Sequence, residues 1–183
     1  MTIPPTPEAC WALLDAHRVP PHIGRHSALV ALLARRLAEE LSSRAGETLS
    51  APRLEAAGLL HDIAKAGCIE THGDHAREGG QLLRSLGHPE IAGLVERHVD
   101  LGAWDPQGPV TEAELLNYAD KRVRHEDVVS LRDRFDDLVE RYGGASDKAR
   151  GRIEQNRCVM EALEVKIFAR LPFGPEALLD WAR

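Results

Sequence analysis

Gly58-Leu59-Leu60-His61-Asp62-Ile63-Ala64-Lys65 sets an imidazole and a carboxylate side by side inside an apolar run. A polar pair enters such a run only when a partner or a metal offsets its lost hydration. Adjacent side chains on a helix diverge by about 100°, so the two cannot share one outer face. An ion held between helices can still collect both. His26 upstream, and His75, His98 and Asp120 downstream, supply the residues that would complete such a site.

The segments around this run read as helices. Thr6-Pro7-Glu8 is a start signal, with a capping hydroxyl and Pro at the first position. His26, Leu29, Val30, Leu33 and Leu37 repeat at spacings of three and four, an apolar stripe that Gly46 terminates. A third helix starts near Ser50-Ala51-Pro52 and carries Leu54, Ala57, Leu60, His61 and Ala64. Residues 67–73 read as a loop, after which Asp74 caps a helix that stops at Gly87. Pro89 opens the next helix, through Ile91, Leu94, Val95 and His98.

Residues 102–109 are rich in breakers, and Thr111-Glu112-Ala113-Glu114 fits a capping box. The helix it opens carries Leu115, Leu116, Ala119, Asp120 and Val123. Further helices are expected over about 128–141 and 147–171, with a short last one after Pro172-Phe173-Gly174-Pro175. No alternating strand pattern persists, so the expected fold class is all-α, a compact helical bundle forming a single domain over 1–183. The charged runs 132–141 and 166–170 read as exposed faces, with Phe135, Leu138 and Val139 inward.

Composition narrows the function. Apolar residues make up 43% and charged residues 28% of 183, ordinary usage for a chain with a real core. The net charge of −6 and 4% aromatics disfavour extended docking on nucleic acid, though a local cluster suffices for a small anion. Cys10, Cys68 and Cys158 form no CxxC pair and read as free buried thiols of a reducing cytoplasm. The N-terminus lacks a secretory layout, and no apolar run approaches the roughly 18 to 20 residues of a membrane span. The expectation is a soluble cytoplasmic protein.

His26 shares the stripe of Leu29, Val30 and Leu33 and therefore points inward. Asp120 stands four residues after Leu116 and three before Val123, so it also faces the core, at a cost of several kcal/mol unless compensated. A divalent cation provides that compensation. His26, His61, Asp62 and Asp120 come from three helices, as a site inside a bundle requires. Mixed imidazole and carboxylate donors suit Fe, Mn, Zn or Ni better than Ca.

This pattern of His, His-Asp and a distal Asp resembles the HD superfamily of metal-dependent phosphohydrolases, in its HDIG-type form. His61-Asp62-Ile63-Ala64-Lys65 is similar to the family's HD-I-x-K element, and Tyr118-Ala119-Asp120-Lys121 to its Ala-Asp ending. The resemblance covers about residues 20–130, leaving about 131–183 as a C-terminal helical extension. Some members hold two metals, and His75-Ala76-Arg77-Glu78-Gly79 and His98 resemble the extra histidines they use. By that resemblance Asp62 bridges two ions, with His26, His61 and Asp120 completing one site and His75 and His98 the other. His72 competes with His75 for its place but lacks the Gly four residues on.

The activity the resemblance implies is hydrolysis of a phosphoester or phosphoanhydride of a nucleotide, through a hydroxide bridging the metals. Lys65, three residues past Asp62, is placed to reach a substrate phosphate, and Arg122 and Arg124 are candidates to clamp a second one. The cofactor expected is one or two divalent transition metals. A branch acting on diadenosine tetraphosphate has a similar order of five His/Asp positions. A cyclic di-GMP branch carries Gly-Tyr-Pro where this chain has Val99-Asp100-Leu101-Gly102-Ala103-Trp104, and that activity is disfavoured. A non-catalytic, metal-stabilised regulatory or sensor module is the alternative, and an RNA-processing domain acting on cyclic phosphate ends a third reading.

Overall fold

Thr6, Ser50, Asp74, Thr111, Ser130 and Ser146 each turn a side-chain oxygen onto an amide of the next first turn, so local chemistry starts most of the helices. The computed structural model describes residues 3–71, 73–144 and 146–182. In chain order these form α1 (Pro7–Ala16), α2 (Pro21–Ala45), α3 (Ala51–Leu60), α4 (Lys65–Thr71), α5 (His75–Ser85), α6 (Pro89–Val95) and α7 (Glu112–Lys121). A two-stranded antiparallel hairpin follows, β1 (Val123–Arg124) and β2 (Asp127–Val128). Then come α8 (Leu131–Tyr142), α9 (Asp147–Phe168), a 3-10 turn at Pro175–Ala177 and α10 (Leu178–Trp181). The all-α expectation holds.

Three boundaries differ from the sequence reading. The third helix stops at Leu60, and His61–Ala64 form a turn closed by the Ile63 amide on the Leu60 carbonyl and the Lys65 amide on the Asp62 carbonyl. The expected loop at 67–73 is largely helix α4. His98 lies beyond α6, which ends at Val95. Each histidine therefore sits just past a helix end, where its ring can fold back over the last turn.

The core is built on α2. Val30, Leu33, Leu37 and Leu41 meet Leu54, Ala57 and Leu60 of α3 on one side and Leu115, Leu116 and Ala119 of α7 on the other. The α2–α3 contact is close because Gly58 lacks a side chain: a Cβ there would lie 2.4 Å from the Ala31 Cα. This approach brings His61 beside His26.

The C-terminal helices are tied to α7 by buried charge, against the reading of the 166–170 run as an exposed face, whereas Arg132, Asp133, Asp136, Glu140 and Arg141 of the 132–141 run are exposed as expected. Lys166 of α9 is buried and places Nζ 2.7 Å from Glu114 Oε1 and 2.8 Å from the Asp105 carbonyl. Arg170 reaches Glu47 and the Gly108 carbonyl. Phe135 is buried as expected, whereas Cys158 is exposed rather than buried. Among the described residues no helix is long and apolar enough to cross a membrane.

Candidate metal centre

Five elements converge on one cluster. His26 comes from α2, His61 and Asp62 from the turn after α3, His75 from the first position of α5, His98 from the turn after α6, and Asp120 from the last turn of α7. His61, Asp62 and His98 are 0%, 1% and 2% exposed, His26 and Asp120 are buried, and His75 lies at the rim.

The backbone sets how each ring points. His61 Nδ1 lies 2.7 Å from the Gly58 carbonyl, His98 Nδ1 2.6 Å from the Val95 carbonyl and His26 Nδ1 3.0 Å from the His125 carbonyl. A carbonyl only accepts, so Nδ1 carries the hydrogen in all three and each Nε2 is turned inward, the arrangement that metal-ligating histidines use.

What the Nε2 atoms meet is more acceptors. His26 Nε2 is 3.1 Å from Asp120 Oδ1, and His61 Nε2 is 3.4 Å from Asp62 Oδ2 and 3.6 Å from Asp120 Oδ1. Asp62 Oδ1 lies 3.3 Å from His75 Nε2 and 3.6 Å from His98 Nε2, and these two nitrogens are 3.2 Å apart. His61 Nε2 and Asp62 Oδ1 are buried with no hydrogen-bond partner. Lone pairs converging out of water need positive charge between them, so the donor set fits a cation. Two triads have donor atoms all within 4.8 Å of one another: His26-His61-Asp62 and Asp62-His75-His98. Asp62 belongs to both, turning one oxygen to each.

Each carboxylate also meets a lysine. Lys65 Nζ is 2.7 Å from Asp62 Oδ2, and Lys121 Nζ is 2.6 Å from Asp120 Oδ2 and 3.1 Å from the His98 carbonyl. Burial pushes both carboxyls up, but His61 with its neighbouring imidazoles at Asp62, and Lys121 with His26 at Asp120, hold them well below the usual carboxylate range. With protons as the only cations, burial pushes the His61 imidazole down, yet the two aspartates outweigh it and raise it to about 10.

Lys65 stands at the cluster as its spacing suggests, and Arg122 does not. The Arg122 guanidinium is buried on the opposite side, donating to the Tyr118 hydroxyl at 2.5 Å, Glu164 at 3.0 Å and the carbonyls of Val129 and Pro175. With its donors committed to α9 and neighbouring backbone, it fastens the C-terminal helices instead of facing a phosphate. Arg124 is half-buried on β1 and, among the described residues, makes no ion pair with Asp62 or Asp120. His72 lies outside the described residues. Cys68, close by in sequence, has its thiol pushed up to about 11 by burial and Glu78, to which it donates, so it stays protonated. Sequence reasoning quoted Lys121 without a role; adjacency to a buried aspartate was the signal.

The HD domain family matches residues 23–125, a span that contains all six clustered residues. Over 108 residues, or 56% of the chain, it is 36% identical to Ribonuclease Y of Thermosipho melanesiensis, covering 20% of that protein. It is 40% identical over 96 residues, 52% of the chain, to Ribonuclease Y of Thermotoga maritima, covering 17% of it. With Ribonuclease Y of Syntrophobacter fumaroxidans it shares 34% over 124 residues, 66% of the chain and 22% of the relative. The chain thus matches about a fifth of the length of these curated relatives, and no solved structure matches it. Family match and converging donors agree: the chain belongs to the HD-domain superfamily of metal-dependent phosphohydrolases.

Proposed function

We propose that this chain hydrolyses a phosphoester or phosphoanhydride bond of a nucleotide, with His26, His61, Asp62 and Asp120 holding one divalent transition-metal ion and Asp62, His75 and His98 a second. The observation that carries the reading is Asp62, a buried carboxylate shared by two imidazole triads with one oxygen lacking any hydrogen-bond partner. Bound cations of the Fe, Mn, Zn or Ni type would supply an acidified water and neutralise charge on the phosphoryl oxygens.

The protein's own groups do the rest. The Gly58, Val95 and His125 carbonyls fix the imidazoles, so little reorganisation is needed when ions enter. Lys121 keeps Asp120 anionic. Lys65, whose side chain is 41% exposed while its ammonium contacts Asp62, is the group able to donate to a phosphate oxygen at the mouth. Three cysteines without a disulfide suit a reducing compartment such as the cytoplasm.

The relatives named Ribonuclease Y favour a second reading, in which the bond cleaved is a phosphodiester of RNA. Purified protein reconstituted with Mn should hydrolyse members of a panel of nucleotides, phosphoesters and short RNA, and His61→Ala should abolish the activity. A metal-stabilised sensor module would instead bind the ions and leave the whole panel intact.

A further inference from the structure

Past His98 the chain runs Val99-Asp100-Leu101-Gly102, and side chains hold this stretch in one shape. Three successive carbonyls accept from neighbouring helices: Arg97 from Asn117 Nδ2 at 2.8 Å, His98 from Lys121 Nζ at 3.1 Å, and Val99 from Asn156 Nδ2 at 3.4 Å. The Asp100 carboxylate takes the Gly102 amide at 2.9 Å, and Gly102 turns the chain with φ +66°. The Arg97 guanidinium closes the loop by donating to the carbonyls of Leu101 and Ala103. The loop that follows a metal-facing histidine therefore forms a fixed wall opposite α9.

Between that wall and α9 lies a cavity of about 520 Å³, within the range of about 300 to 1,000 Å³ that small organic ligands occupy. Its apolar lining includes Val99, Leu101 and Met160, the last two buried. Its charged lining is one cation, Arg152, and one carboxylate, Asp100, so it has no surplus of positive charge for a phosphate. What it offers instead is amides, from Gln155 and Asn156 of α9. Asn156 Oδ1 is buried with no hydrogen-bond partner, and the Nδ2 bond to Val99 is long. An amide with an unpaired acceptor and a weakly held donor is completed by a ligand edge that carries both. A nucleobase has such an edge and apolar faces, and Asn and Gln pair with bases in this way.

We propose that this cavity receives the nucleobase of the substrate, with Asn156 and Gln155 on its polar edge, while the phosphate lies at the metal centre. The inference rests on the nucleotide reading above and assigns the base a site of its own. Val99 stands one residue, about 3.8 Å of Cα trace, beyond His98. His98 Nε2 in turn is 3.6 Å from Asp62 Oδ1, so the wall of the cavity continues into the centre.

The test uses the full chain. Ligand-observed NMR of chelated protein with adenosine, guanosine, cytidine and uridine in turn should show binding of at least one. Gln155→Trp, which fills the cavity from an exposed position, should abolish it, and Asn156→Leu should weaken it. Glu154→Gln, exposed on the same helix and outside the lining, should leave it unchanged. In the Mn-loaded protein Gln155→Trp and Asn156→Leu should raise KM for the matching nucleotide at least tenfold with kcat unchanged. Cleavage of bis(p-nitrophenyl) phosphate, which carries no base, should proceed as in the native protein. The bound nucleoside should inhibit nucleotide cleavage competitively. Circular dichroism and melting of each variant exclude misfolding. No nucleoside binding by the native protein, equal binding by native and Gln155→Trp forms, or non-competitive inhibition overturns the assignment. Nucleoside binding that Gln155→Trp abolishes, with no phosphoester cleaved by the native protein, would instead overturn the enzymatic reading.

Discussion

Replacing Gly58 with Ala tests the contact that holds the two halves of the metal centre together. The new Cβ would stand 2.4 Å from the Ala31 Cα, 2.7 Å from its nitrogen and 2.9 Å from its Cβ. Carbon atoms pack at about 3.5 Å or more, so α3 must withdraw from α2 by roughly 1 Å. Overpacking costs about 1 to 3 kcal/mol, and the upper end applies because the obstacle is helix backbone. The better helix propensity of Ala returns up to about 1 kcal/mol, leaving a net loss near 2 kcal/mol. His61 folds back on the Gly58 carbonyl while His26 and Asp120 stay with α2 and α7. Metal sites tolerate only about 0.2 Å of ligand displacement, so Mn affinity should fall at least tenfold. Urea unfolding of chelator-treated protein measures the first effect and calorimetric titration the second. Gly67→Ala, where nothing lies within 4 Å, is the control and should be neutral or slightly stabilising. Stability within about 0.5 kcal/mol of the native protein, with unchanged Mn affinity, would refute the close-approach argument.

Other outcomes follow from the same geometry. Lys166→Met leaves Glu114 buried without its cation and should cost about 3 to 5 kcal/mol in urea unfolding, a loss that Glu114→Gln added to it should partly recover. Arg122→Met should lower stability by roughly 3 kcal/mol, because Glu164 and two carbonyls lose their donor, while KM in folded protein stays within twofold; a large KM change with unaltered stability would return Arg122 to the substrate. Metal binding must displace the proton that His61, raised to about 10, holds in the absence of ions. Affinity should therefore strengthen as pH rises from 6 to 9, by up to about tenfold per unit, with proton release visible as a dependence of binding heat on buffer ionisation enthalpy. Flat affinity across that range would contradict the displacement.

The helices were readable because capping residues and apolar spacing are local: Thr6, Asp74 and Thr111 cap the helices that their neighbours suggest. The clustering of His26, His61, Asp62 and Asp120 was readable because inward polar residues on separate helices share one need for charge, while His75 and His98 were placed by the family resemblance. Arg122 was not. Its closeness to Asp120 in sequence says nothing of direction, and direction is set by Glu164, which lies 42 residues away on α9. Lys166 was missed for the same reason, since a charged residue at helical spacing looks alike whether water or a carboxylate as distant in sequence as Glu114 receives it. The turn at His61–Ala64 was hidden because the apolar period of α3 runs through it.

Metal stoichiometry tests the central claim most directly. Chelated protein titrated with Mn under anaerobic conditions should bind two ions per chain. The stoichiometry should fall to one in the double variant His75→Ala/His98→Ala, with Asp62→Ala losing high-affinity binding at both sites. Failure of the native protein to bind Mn, Fe, Zn or Ni, or two ions retained in Asp62→Ala, would contradict a centre built around a shared Asp62.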